Sequence, residues 1–141
     1  MAKSYWLMKS EPDAYAWDQL VHDGTGIWDG VRNHTAKLKL MAMKVGDEAF
    51  FYHSNIGKEC VGIMKITETA FPDPTAEKGS PWVVVRVAPV RPLANPVTLA
   101  AIKADPKLAD MDLIRQSRLS VGRVQPAEWT RILKKSEKPE G

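Results

Sequence analysis

The sequence predicts an α+β domain: a mixed β-barrel of about five or six strands with several short helices packed around it. Three observations lead there. Strand-forming residues dominate the middle of the chain, while apolar residues at helical spacing lie towards both ends. A valine-rich run, 82–90, is apolar on both faces apart from Arg86, so helices or a closed barrel must cover it. The 141 residues suffice for one ordinary hydrophobic core but not for a comfortable second one. With no internal repeat and no dividing linker, 1–141 reads as a single domain.

The elements follow in order. SYWLMKS is a short apolar strand stopped by Glu11-Pro12. Asp13 suits an N-cap, and Ala14, Trp17 and Val21 at helical spacing predict a helix over 13–22 that ends at DGTG. After the Asp29-Gly30 turn, a second helix is expected over 33–43, its stripe of Ala36, Leu40 and Met43 widened by Leu38 and Met41. KVGD turns the chain into a strand over 49–53, and SNIG connects it to a returning strand over 60–67 as a hairpin. The three prolines within 71–81 predict a loop, and a strand over 82–90 follows. Thr98 can cap a short helix ending at Ala104, and 118–124 is the last strand. Pro126 at a first helical position opens a C-terminal helix with Trp129, Ile132 and Leu133 on its apolar face. The polar tail from about 135 is expected to fray.

Composition excludes some classes. Hydrophobic residues at 44% and charged residues at 26% are ordinary for a soluble globular chain. No apolar run approaches the roughly 20 residues that cross a bilayer, and the N-terminus lacks the apolar core of a signal peptide, so a cytoplasmic protein without a membrane partner is expected. The single cysteine, Cys60, cannot form an internal disulfide and reads as a buried thiol in a strand. A net charge of +3 is too small to imply nucleic acid, but its distribution is uneven. Arg32, Lys37, Lys39 and Lys44 share an acid-free segment, as do Arg115, Arg118 and Arg123. Such runs are solvated faces or, if brought together, the lining of an anionic groove.

There is no Walker or dinucleotide phosphate loop, no G-x-S-x-G, and no Cys/His spacing suited to zinc, so neither a cofactor nor a metal is expected. His22, His34 and His53 are scattered over a helix end, a helix start and a strand end. What remains is a set of polar residues with aromatic neighbours where strands end: Ser10-Glu11, Trp28-Asp29 leading to Asn33, Tyr52-His53-Ser54, and Arg115-Gln116-Ser117-Arg118. Each has a structural explanation, with Ser10 and Asn33 as caps, Trp28 as a core anchor, Tyr52 as a barrel residue and the arginines as solvated charges. Together they also contain every part of a site for a flat unsaturated ring: an aromatic face, polar groups for its edge, and cations for flanking phosphates.

The segments YWLMKSEPDAYAW, IWDGVRNHTAKLKL, VGDEAFFYHSN, and RQSRLSV followed by a Pro-x-Glu-Trp helix resemble the EVE domain family, in the family's order and over 4–133. The resemblance implies a PUA-like mixed β-barrel with peripheral helices, related to YTH and SRA modified-base readers and to ASCH domains. It implies a non-enzymatic module whose pocket accepts a modified nucleobase, above all a modified cytosine such as 5-methyl- or 5-hydroxymethylcytosine in DNA, with modified RNA second. By motif, Trp28 resembles the pocket's aromatic wall, standing open for stacking, with Ser10 and Glu11 at the ring's edge and backbone groups offered by Asp29. Asn33 matches the motif asparagine. His53 and Ser54 face the mouth, and Gln116, Ser117 and Arg118 occupy its far side. Arg32, Lys37, Lys39 and Arg115 would hold the nucleic-acid backbone. Two departures stand out: His34 replaces the tyrosine of many relatives, and the loop 74–81 is shorter than usual. Two other classes fit the same residues: an ASCH-like enzyme using Glu11 or Asp29 with His53, and a sensor of free nucleosides.

Overall fold

A computed structural model describes residues 3–54, 57–116 and 118–137. Its centre is a sheet of β1 (Tyr5–Ser10), β2 (Gly26–Ile27), β3 (Glu48–His53), β4 (Glu59–Pro72), β5 (Val83–Thr98) and β6 (Val121–Val124), in the order β2-β5-β4-β3-β1-β6. β1 and β3 are parallel, a pairing that needs a long crossover, and the chain between them supplies one; the other neighbours are antiparallel. The α+β class, the six strands and the short helices agree with expectation, but the sheet does not close into a barrel: β2 and β6 are its edges.

Both faces of this sheet are buried, which explains why its central strands read as continuous apolar runs. Trp6, Met8, Phe51, Met64 and Val85 point to one core, closed by α1 (Trp17–Asp23) and α2 (His34–Ala42) through Trp17, Leu20, Ala36 and Leu40. Leu7, Phe50, Cys60, Ile63 and Val97 point to the other. That core is closed by α3 (Leu99–Lys103), a 3-10 turn at Pro106–Leu108, α4 (Asp112–Arg115) and α5 (Pro126–Glu137). Each large side chain buried here contributes about 1.5–3 kcal/mol. Trp129 stacks on Phe50 with ring centroids 4.0 Å apart, and Trp17 lies so close over Gly62 that a Cβ there would meet its ring at 2.6 Å.

Several elements depart from the sequence reading. α1 begins at Trp17, because 12–14 form a turn, and Asp13 caps nothing. Leu38 and Met41, 60% and 56% exposed, do not widen the stripe of α2; Ala36, Leu40 and Met43 alone bury it. β4 continues through Phe71-Pro72, so the loop before β5 is shorter than expected. β5 runs on to Thr98 across three prolines, and the reason is local. Only Arg86 and Val87 pair with β2, so further along β5 has one free edge where a missing N–H breaks no ladder bond, and the ladder to β4 shifts register there. β6 is shorter than its expected span, and β2, α4 and the 3-10 turn lack a sequence signal. α5 continues to Glu137, where the expected tail was to fray: Ser136 is buried, and its carbonyl accepts from Asn95 Nδ2 at 2.8 Å.

Candidate functional site

The strand ends that carry the polar motifs meet at two adjoining clefts. The first, about 570 Å³, is bounded by Lys9 and Ser10 at the exit of β1, Ala14 and Tyr15 in the following turn, Asp23 at the end of α1, and Gly26 to Gly30. Ser10 Oγ donates to the Tyr15 carbonyl at 2.7 Å and so fixes that turn. The Tyr15 hydroxyl is buried and has no partner; burial, with Asp23 and Asp29 nearby, raises its pKa.

Trp28 is only 5% exposed, so the expectation of an uncovered indole is wrong in degree. The ring stands edge-to-face against Phe51, centroids 5.2 Å apart, and against Tyr15 at 6.4 Å, while its backbone N–H donates to Val85 at 2.8 Å. The residue is a core anchor that also lines the first cleft. Its position is therefore set by packing before any ligand arrives.

The loop after Trp28 rests on a residue that the sequence reading missed. Asp73 is buried, and its carboxylate accepts from Gly30 N at 3.1 Å, Arg32 Nη1 at 2.9 Å, and both the backbone N and hydroxyl of Thr75. Burial by itself would raise its pKa, but the bonds from Thr75, Arg32 and Gly30 outweigh that and hold the carboxyl at about 2. Gly30 has φ +77°, a backbone region that a side chain would strain. The Asp in Pro-Asp-Pro-Thr is a turn signal, yet nothing in the sequence pairs it with a loop some forty residues earlier.

Asp29 is exposed at the rim of the first cleft, and Glu11 lines the second. Asn33 does cap: its Oδ1 accepts from Ala36 N at 2.9 Å. His53 lines neither cleft; its Nε2 accepts from Trp17 N at 3.1 Å and so serves as the missing cap of α1. Burial lowers its pKa, against the pull of Glu59 and Asp18. Asp29 and Glu11 therefore line different clefts, and the His53 Nε2 that an acid/base role would use is engaged by the backbone of α1. Burial also pushes the Cys60 thiol far up, with Glu59 adding to it, which keeps it protonated and unreactive.

The second cleft, about 820 Å³, shares Lys9 and Gly30 with the first and is lined further by Tyr52, Ser54, Lys58, Lys103 and Arg118 over an apolar floor. Burial pushes the Tyr52 phenol up to about 12, helped by Cys60 and Glu59, and lowers the pKa of Lys9. Gln116 and Arg118 meet Asn33 in a smaller hollow of about 290 Å³. Ser117 lies outside the described residues. Of the expected backbone contacts, Arg32 is tied to Asp73, Lys39 pairs with Asp112 at 3.3 Å, and Lys37 and Arg115 line neither cleft. Among the described residues no group of three His, Cys, Asp or Glu side chains could hold a metal ion.

A family model of the EVE domain matches residues 4–135. Thymocyte nuclear protein 1 of Homo sapiens is 35% identical, over 96% of this chain and 75% of that protein. Among solved structures, Rpa0253 of Rhodopseudomonas palustris is 51% identical with a TM-score of 0.89, over 98% of this chain and 96% of that one. Human THYN1, solved in complex with 5-methylcytosine-containing DNA, is 33% identical with a TM-score of 0.88, over 98% of this chain and all of that one.

Proposed function

The chain belongs to the EVE domain family, and from that premise we propose that it binds nucleic acid and reads a modified base, a modified cytosine in DNA before any other, by admitting it to the first cleft. One observation carries the reading: a cleft with Trp28 in its wall is lined as well by Ser10, Asp29 and Gly30, whose polar groups can meet the edge of a ring. Its volume of about 570 Å³ falls inside the roughly 300–1,000 Å³ typical of ligand sites. Because the indole is packed, a guest ring meets a wall that loses no freedom on binding. Stacking on an aromatic is worth about 1–3 kcal/mol, and a largely covered ring belongs at the low end of that range. Discrimination therefore rests on the fit of the ring's substituent and on hydrogen bonds to its edge. The relative solved with 5-methylcytosine-containing DNA supports cytosine and DNA as first choices.

An affinity panel tests this, using DNA and RNA oligonucleotides identical except for cytosine, 5-methylcytosine or 5-hydroxymethylcytosine at one position. At least about tenfold preference for one modified form, equivalent to 1.4 kcal/mol, is expected. Ala14→Leu, which fills the cleft from an exposed turn, should remove the preference and leave the thermal midpoint unchanged. Equal affinity across the panel would sink the reading.

A further inference from the structure

We infer that the second cleft is the track for the sugar-phosphate chain flanking the inserted base, with Lys58, Lys103 and Arg118 as its phosphate-binding cations. The inference rests on the base-reading role of the first cleft. The two clefts join at Lys9 and Gly30, so a strand that places a base in one has its backbone at the entrance to the other. Lys9, Lys58, Lys103 and Arg118 line the second cleft against a single carboxylate, Glu11. The three named cations come from separate places, the β3–β4 connection, the last turn of α3 and the segment between α4 and β6, yet they converge on one hollow.

Their electrostatic state separates them from the basic residues that the sequence singled out. Arg32 and Lys39 spend their charge on Asp73 and Asp112. Among the described residues, Lys58, Lys103 and Arg118 have no carboxylate partner. A cation without an internal partner is available to neutralise a phosphate and release the counterion condensed on the nucleic acid there, and that release makes polynucleotide affinity fall with salt. The floor of Leu99, Leu113 and Ile114 suits the apolar faces of the sugars.

The test measures the dissociation constant of a 5-methylcytosine oligonucleotide and its unmodified twin at several KCl concentrations. It compares the full chain with Lys58→Gln, Lys103→Gln and Arg118→Gln. Each substitution should lower the slope of log affinity against log salt by about 0.7–1. It should weaken both oligonucleotides by the same factor and leave their ratio, and the affinity for free 5-methyl-2′-deoxycytidine, unchanged. Lys37→Gln and Arg115→Gln should keep the parent slope. If those two lower it and the cleft variants do not, the track lies on the α2 face and the inference is overturned. The two ideas fail separately. A salt slope that depends on Lys58, Lys103 and Arg118, with no preference for the modified base, upholds the track and removes the base-reading role; preference with an unchanged slope does the reverse.

Discussion

At the scale of single residues, the site is built from groups that serve the fold and the cleft together. Trp28 is the clearest case: truncating it would open a core cavity, an effect of about 3–5 kcal/mol, so loss of binding in such a variant would say nothing about stacking. Asp73 offers a cleaner probe. Its carboxylate holds Gly30 and Arg32 from below, yet it touches neither cleft. Asp73→Asn keeps the shape, removes the charge, and should lower stability by about 1–3 kcal/mol at neutral pH. Releasing a residue of backbone is worth about 1–2 kcal/mol, so base affinity should also weaken roughly tenfold. The pH dependence has a definite sign. The folded carboxyl titrates at about 2, below the roughly 3.9 of an unfolded Asp, so its contribution is complete above pH 4 and is lost as the pH falls towards 2. Urea unfolding of both proteins from pH 2 to 7 should show curves that converge at the acid end; parallel curves would contradict the bracing role.

At the scale of elements, α1 illustrates how a helix can be positioned from outside itself. Ala16 at its N-cap offers no side-chain acceptor, and the vacant role falls to His53 from the end of β3. A ring nitrogen accepts only when unprotonated, which agrees with the lowered pKa of His53. The unfolded chain therefore binds the proton first. Stability from this cap is complete above about pH 6.5 and falls as the pH drops through the lowered folded pKa, by about 1 kcal/mol, the usual worth of a cap. His53→Gln retains an acceptor that does not titrate, and thermal melts between pH 5 and 8 should lose this part of the pH dependence. A variant that keeps the full dependence would place its origin elsewhere. The same element marks the limit of what the sequence reveals. α2, β3, α3 and α5 were legible because caps and apolar spacing are local, and Asn33 and Thr98 do cap as their positions suggest. The start of α1, the length of β5 and the Asp73 brace were not, because each depends on a partner distant in sequence. Of the candidate site residues, Ser10, Trp28 and Asp29 do line the first cleft, while His53 is engaged by the start of α1 and Arg32 by Asp73.

At the scale of the whole molecule, the open sheet poses a problem that a closed barrel would avoid: two helical layers on opposite faces must be held together, and an edge strand must be kept from pairing with another chain. Asp112 answers both at once. It opens α4, which packs into the second core through Leu113, and its carboxylate reaches Lys39 of α2, which packs on the first. It also accepts from the backbone N of Arg123 at 2.9 Å, occupying a donor on the outer side of β6. Gly122 permits this approach, since a Cβ there would lie 2.9 Å from that of Asp112. The Arg123 guanidinium folds back over the Trp6 ring at 5.1 Å, so the edge shows charge rather than a flat apolar strip. Asp112→Ala should therefore do two things. It should lower stability by about 1–3 kcal/mol, the effect of stripping partners from polar groups. It should also make the edge adhesive, so that light scattering and the unfolding midpoint depend more steeply on protein concentration in the variant than in the parent chain. A variant that loses stability but depends on concentration no more than the parent would show that the edge is guarded by Arg123 alone, with Asp112 acting only as a tie between the two layers.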